Sequence, residues 1–245
     1  MHGFTSAVWH RQQKHLIAVS HAVKDSLVEQ GIEPTKISVL HNAVDPADVQ
    51  PRRLPALIRE ELGAAAETPV VGCFAHLSAK KGWLELVRAM PLILRDVPEA
   101  QLWCVGDGPL RDTLQDEAER EGVAGRVRFT GFRRDVADLM RAVDVVALPS
   151  YREPLGLVYL EAGLLGRPVV GCKAGGAPEV IRDQDSGLLV PPHDSVALAE
   201  AISRLLLNRA EARQMGHRGL ERARDEFNWS GYLDKLLDVY DIMRN

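Results

Sequence analysis

The sequence predicts a doubly wound parallel α/β sheet preceded by a small, incomplete α/β segment. Two observations carry this. From Pro69 onward, short apolar runs of strand length alternate with longer amphipathic runs. The short runs are almost continuously apolar, the pattern of strands covered by helices on both faces. Right-handed crossovers then bring every strand's C-terminal end to one edge, where such sheets bind ligands.

Taken in order, the candidate strands of the main sheet are 70–76, 100–106, 127–131, 144–148, 168–172 and 187–190. Helical stretches separate them near 83–94, 110–121, 136–142, 157–165 and 178–182. The last quarter reads as helix over 195–207, 211–224 and 230–243. The final stretch places Leu233, Leu236, Leu237, Tyr240 and Met243 at three- and four-residue spacing. A membrane-surface helix would carry Lys and Arg opposite that stripe, whereas Asp234, Asp238 and Asp241 stand here. The expectation is that the stripe packs on the body of the protein.

The first fifty residues differ. Strands are expected at 15–20 and 36–40 with a helix over 21–30, after which Pro46, Pro51 and Pro55 punctuate a connection. Two strands and one helix bury too little apolar surface to stand alone. They either dock on the large domain or are the remnant of another. The expected division is therefore 1–50, 51–227 for the large domain, and a C-terminal helix in 228–245.

Composition fits one large soluble α/β domain with an attachment: 245 residues, 46% hydrophobic and 26% charged. A net charge of -4 leaves no excess of Lys and Arg to neutralise a phosphate backbone, so no nucleic-acid partner is expected. Cys73, Cys104 and Cys172 lie singly in apolar runs, without the spacing of a zinc site or a disulfide framework. No run reaches the roughly 18 to 20 apolar residues of a membrane span. Nor does the N-terminus read as a signal peptide. A cytoplasmic location is the expectation.

The sharpest local signal is PSYREPLGLVYLEAGLLG, 149–166. Glu161 lies among Leu157, Val158, Tyr159, Leu160, Ala162, Leu164 and Leu165, and shares a helix face with Leu157 and Leu165. An ionised carboxylate there is costly without a partner or a polar cavity. It either pairs with a structural arginine or caps a neighbouring helix, or it accepts hydrogen bonds from ligand hydroxyls, as Rossmann acids do with ribose. Glu153 stands on the loop that leaves the preceding strand, turned by Pro154 and Gly156.

Glu153 and Glu161, separated by seven residues, resemble the E-x7-E motif of glycosyltransferase family four. The surrounding text agrees with it: V-G-D-G-P at 105–109, F-T-G-F at 129–132, A-L-P-S at 147–150, R-P-V-V at 167–170, A-G-G-A-P-E-V at 174–180 and S-G-L-L-V-P-P at 186–192. The resemblance runs from about Leu16 to the C-terminus. It implies the C-terminal, donor-binding half of a GT-B architecture of two Rossmann-like domains. Residues 17–20 and 37–45 would then be the end of the N-terminal acceptor domain, most of which lies outside this chain. The helix at 230–243 would cross back to support that domain.

The implied function is transfer of a sugar, with retention of configuration, from a nucleotide-diphosphate sugar to an acceptor hydroxyl. The acceptor would be a sugar, a lipid-linked glycan or a small molecule, with peripheral membrane contact through the N-terminal domain. No cofactor and no metal are expected, because basic groups would stabilise the leaving diphosphate. Glu161 would bind the ribose hydroxyls. Glu153, the catalytic candidate, would contact hydroxyls of the donor sugar and steady positive charge developing on it. Gly156 and Leu157 would offer backbone N–H groups to anionic oxygens, and the Gly131–Phe132 turn would pass beside the base. Gly175 and Gly176 would leave room for the donor to approach; an ordinary strand–helix turn is the alternative. His2-Gly3 resembles a pair near the family's reaction centre.

One stretch departs from the family. The phosphate motif G-R-x4-K-G becomes Ala75-His76-Leu77-Ser78-Ala79-Lys80-Lys81-Gly82. Lys81 and Gly82 match it, but His76 replaces the arginine. A histidine is charged only below roughly pH 6.5 and lacks the arginine fork. Either His76 keeps the phosphate contact, with help from Lys80, or the position has drifted in an inactive chain.

Competing readings make distinct demands. A nucleotide-sugar-binding subunit, or an inactive module, would need a separate acceptor-domain partner. A Rossmann oxidoreductase would show G-x-G-x-x-G after the first strand, whereas Gly106-Asp107-Gly108 follows the second and lacks the third glycine. An epimerase of the same architecture is closer, though the motif order favours transfer. Hydrolysis by a carboxylate pair does not fit two acids on one loop–helix segment.

Overall fold

The computed structural model describes residues 14–244, and side chains as far as residue 241. His2-Gly3 and the Met243 side chain lie outside the described residues. The chain opens with a small parallel pair, β1 (Leu16–Ala18) and β2 (Ile37–Val39), joined through α1 (His21–Glu29). Ser20 starts α1, its Oγ accepting from Val23 N at 3.0 Å. Ala18, Ile32 and Ile37 form a separate small core here.

The proline-punctuated connection contains a helix that the sequence reading passed over, α2 (Pro55–Glu61). Pro55 takes the first helical position, where no N–H is needed. Ile58 is fully buried, and the Arg59 guanidinium reaches Ala142 O and Asp144 Oδ2, both at 2.9 Å. Burial of this turn explains why the stretch folds despite its prolines.

Strand–helix alternation then follows: β3 (Val70–Phe74), α3 (Trp83–Asp96), β4 (Gln101–Val105), α4 (Arg111–Arg120), β5 (Val127–Gly131), α5 (Val136–Ala142), β6 (Val145–Leu148), α6 (Leu157–Leu164), β7 (Val169–Cys172), α7 (Ala177–Val180) and β8 (Leu188–Val190). The six strands form one parallel sheet in the order β5-β4-β3-β6-β7-β8. The expected doubly wound sheet is borne out. Its strand order reverses between β3 and β6, and the crevice at such a switch point is the ligand-binding position of these sheets. Strand β3 stops at Phe74, two residues short of expectation, so His76 stands on the loop.

Helices α8 (Ser195–Leu207), α9 (Arg209–Glu226) and α10 (Trp229–Arg244) close the chain. The stripe on α10 departs from expectation. Val239 is buried, but Leu233, Leu237 and Tyr240 are more than half exposed, so the stripe does not pack on the described body.

The N-terminal segment docks on the large domain. Val44 N donates to Phe227 O at 2.9 Å. The Glu179 carboxylate accepts from His21 N at 2.8 Å and Ala22 N at 3.0 Å, and lies 2.8 Å from His41 Nε2. All three cysteines are buried free thiols, and burial raises the pKa of each. No helix among the described residues is long and apolar enough to cross a membrane.

Candidate functional site

A cavity of about 850 Å³ opens at the switch point, walled by Phe74, Val105 and Leu148, the last residues of β3, β4 and β6. His76, Lys81, Phe132, Glu153, Gly156, Leu157 and Glu161 all line it. In sequence these residues are scattered over three loops and a helix, and the topology brings them to one place. Gly82, Gly131, Gly175 and Gly176 do not line the cavity; three of them act one layer behind it.

Lys81 and Glu153 face each other across the crevice. Lys81 Nζ donates to Glu153 Oε2 at 2.7 Å, and both side chains are largely buried. Glycine backbones hold the two loops close enough for this bond. Gly82 has φ +72°, and a Cβ there would stand 2.2 Å from Pro149 O. Gly175, at φ +58°, would place a Cβ 2.3 Å from Glu153 O, while Gly176 N donates to Glu153 O at 2.8 Å. The close approach at Gly175-Gly176 is thus that of the Glu153 loop. These two glycines shape the position of the acid without forming the cavity surface.

Helix α6 is set under the end of β6 by Tyr159, whose hydroxyl donates to Leu148 O at 2.6 Å. The tyrosine ring occupies the space where a side chain at Gly156 would sit, its Cδ2 2.4 Å from an added Cβ. With φ +99°, Gly156 starts the helix without any side-chain cap. Tyr159 N donates to Gly156 O at 3.0 Å, which leaves the Leu157 and Val158 amides to the cavity, at the positive end of the helix dipole. One turn further on, Glu161 is half-buried on the cavity wall, and its carboxylate has no hydrogen-bond or ion-pair partner among the described residues. Burial raises its carboxyl above the ordinary value. The structural-arginine alternative for Glu161 is not what the structure shows.

Cations around the cavity are unequally free. His76 is exposed, and its backbone carbonyl accepts from Trp83 Nε1 at 3.0 Å. Arg133 also lines the cavity, but its guanidinium is held at 2.6 Å by both Asp135 and Glu61. It does not supply the arginine absent at position 76. Lys80 lies away from this cavity, against a different recess.

Asp107, Val19 and Asn42 also line the cavity and were missed as site residues. The V-G-D-G-P motif was a signal for Asp107. Its glycines meet the β3 loop, a Cβ at Gly106 falling 2.0 Å from Ala75 O. Nothing in the sequence pointed to Val19 and Asn42, which reach the cavity only because the N-terminal segment docks.

The family model "Glycosyl transferases group 1" matches residues 68–208, and "Glycosyltransferase Family 4" matches residues 3–48. Among curated proteins, the D-inositol 3-phosphate glycosyltransferase of Corynebacterium kroppenstedtii is 33% identical over 92% of this chain and 52% of its own length. A GDP-mannose-dependent alpha-(1-6)-phosphatidylinositol monomannoside mannosyltransferase of Mycolicibacterium smegmatis is 39% identical over 71% of this chain and 48% of its own. Among solved structures, Anabaena HepE in complex with UDP and glucose superposes with a TM-score of 0.89 at 28% identity, over 97% of this chain and 66% of that one. The chain spans about half the length of the curated relatives it matches.

Proposed function

The chain belongs to the group 1 glycosyl transferases, and on that premise we propose that it binds a nucleotide-diphosphate sugar and supplies the donor side of sugar transfer to an acceptor hydroxyl. One observation carries this reading: the unpartnered Glu161 carboxylate and the Lys81–Glu153 pair share one cavity at the switch point. The volume of about 850 Å³ lies within the roughly 300–1,000 Å³ of small-molecule sites. HepE, similar over nearly the whole chain, has been solved with UDP and with UDP-glucose.

Each residue has a part in this reading. Glu161 accepts hydrogen bonds from the ribose hydroxyls, which compensate the cost of keeping its charge half-buried. Phe132, at the rim, lies beside the base. The α6 amides and Lys81 take the diphosphate, Lys81 turning from Glu153 toward the phosphate oxygens as they enter. His76 adds a further polar contact at the phosphate end of the cavity. Glu153, released from Lys81, contacts the sugar hydroxyls and steadies positive charge as the bond from the anomeric carbon to the diphosphate breaks. Preorganised cations and amides stabilise the departing charge, so the reading calls for no metal. Retention follows if the acceptor hydroxyl attacks the face from which the diphosphate leaves.

Thermal melting of the chain with a panel of nucleoside diphosphates, with and without EDTA, tests the proposal. A rise in melting temperature that persists in EDTA is expected for one base above the others. No shift with any nucleoside diphosphate at millimolar concentration contradicts donor binding, and a shift lost in EDTA contradicts metal independence.

A further inference from the structure

Lys81 and Glu153 point into the donor cavity, and the residues just before them, Lys80 and Arg152, do not. Together with Tyr151 and His193 they line a separate recess of about 630 Å³, which shares no wall residue with the donor cavity. The two loops are stitched at this point: Tyr151 N and Ser150 Oγ both donate to Lys80 O, at 3.2 and 3.1 Å. The Tyr151 ring lies against His193, with centroids 4.3 Å apart. His193 keeps a positive φ of 60°, and its Nδ1 is 2.9 Å from Glu85 Oε1.

Charge separates the two cavities. Three carboxylates, Asp107, Glu153 and Glu161, line the donor cavity, whereas among the described residues none lines the recess. Neither Lys80 nor Arg152 has an ion-pair or side-chain hydrogen-bond partner among the described residues. Glu85 engages His193 and is paired with neither cation; two free cations beside an aromatic pair make a place for an oxyanion. An arginine fork suits phosphate oxygens, and a neighbouring lysine adds point charge. Arg152 is also the residue before Glu153, so its Cα stands about 3.8 Å from that of the reacting acid. A group held in the recess therefore lies beside the Glu153 loop without occupying the donor's place.

We propose that the recess formed by Lys80, Tyr151, Arg152 and His193 binds a phosphate group carried by the acceptor, positioning the acceptor beside the bound donor. The inference rests on the donor-site reading above. The phosphate could arrive on a soluble monoester or in a lipid headgroup, and its oxygens are the chemistry both share.

The test titrates the UDP-loaded chain with glycerol phosphate by calorimetry, and in parallel measures sedimentation with phosphatidylglycerol and phosphatidylcholine vesicles. Glycerol phosphate is expected to bind without displacing UDP. Arg152→Gln, at an exposed position, is expected to weaken it roughly tenfold, the loss of one charge-assisted hydrogen bond, with UDP affinity unchanged. Lys80→Gln provides a second variant with the same expectation for glycerol phosphate. Selective sedimentation with phosphatidylglycerol that Arg152→Gln abolishes assigns the recess to a lipid headgroup; binding of glycerol phosphate alone assigns it to a soluble acceptor. Equal affinity for glycerol phosphate in wild type and both variants overturns the proposal, as does displacement of UDP by glycerol phosphate. Failure of UDP itself to bind, with Arg152-dependent glycerol phosphate binding intact, removes the donor reading and leaves the anion site standing.

Discussion

Lys81 Nζ lies 2.7 Å from Glu153 Oε2, tying the loop after β3 to the loop after β6 across the point where strand order reverses. The pair keeps a buried carboxylate compensated, and the proposed donor site gives each partner a different task. The two ends of the bond therefore respond differently to substitution.

Lys81→Met leaves Glu153 uncompensated and removes the proposed phosphate contact. It is expected to lower stability by about 1–3 kcal/mol and to weaken UDP binding tenfold or more, as measured by denaturant unfolding and calorimetry. Glu153→Gln frees Lys81 and is expected to leave UDP binding equal or tighter, as measured by calorimetry. Weaker UDP binding in Glu153→Gln would contradict the division of roles.

Glu161 pays for its site in stability. Burial raises its carboxyl, so its favourable contribution is complete below the ordinary carboxylate pKa and is lost as pH rises through the raised one. Glu161→Gln should therefore melt higher than wild type at neutral pH, with the difference vanishing in acid. UDP binding should weaken by roughly tenfold, as charge-assisted ribose hydrogen bonds are lost. Melting curves across pH, paired with calorimetry, check both halves.

Much of this was legible beforehand because it rests on pattern. Apolar runs marked all six strands of the main sheet, and E-x7-E with its flanking motifs marked the cavity. What escaped depends on contacts between distant loops. The Lys81–Glu153 bond joins residues 72 positions apart, and no spacing rule encodes it. Gly175 read as room for a ligand, since sequence gives its size but not the loop lying over it. The prolines before α2 outweighed Ile58 and Arg59, whose burial is a tertiary fact. The α10 stripe read as core because periodicity reveals an apolar face without revealing what covers it.

The Glu179 carboxylate ties α1 to the large domain. Burial pushes its pKa up, but the N–H of His21, the His41 ring and the N–H of Ala22 together outweigh that and hold it below the ordinary value. This contribution is present above the ordinary carboxylate pKa and is lost as pH falls through the lowered one. Glu179→Gln is expected to cost about 1–3 kcal/mol and to speed amide exchange across residues 16–41 at neutral pH. Wild type should approach the same exchange rates in acid. Unchanged exchange in the variant would contradict the tie.

Gly175→Ala is expected to destabilise the ligand-free chain by about 1–3 kcal/mol, since the new Cβ would press on Glu153 O at 2.3 Å. Denaturant unfolding without ligand checks it. A variant as stable as wild type that loses only UDP affinity would restore the glycine to a direct donor contact.

The central claim is that Glu161, Lys81 and the start of α6 receive one nucleotide diphosphate. A crystal structure of the chain with UDP tests it most directly. Ribose hydroxyls are expected within hydrogen-bond distance of the Glu161 carboxylate, and phosphate oxygens on Lys81 Nζ and the α6 amides, with Lys81 drawn off Glu153. UDP bound elsewhere, or seated in the cavity with Glu161 turned away and Lys81 still on Glu153, would contradict it.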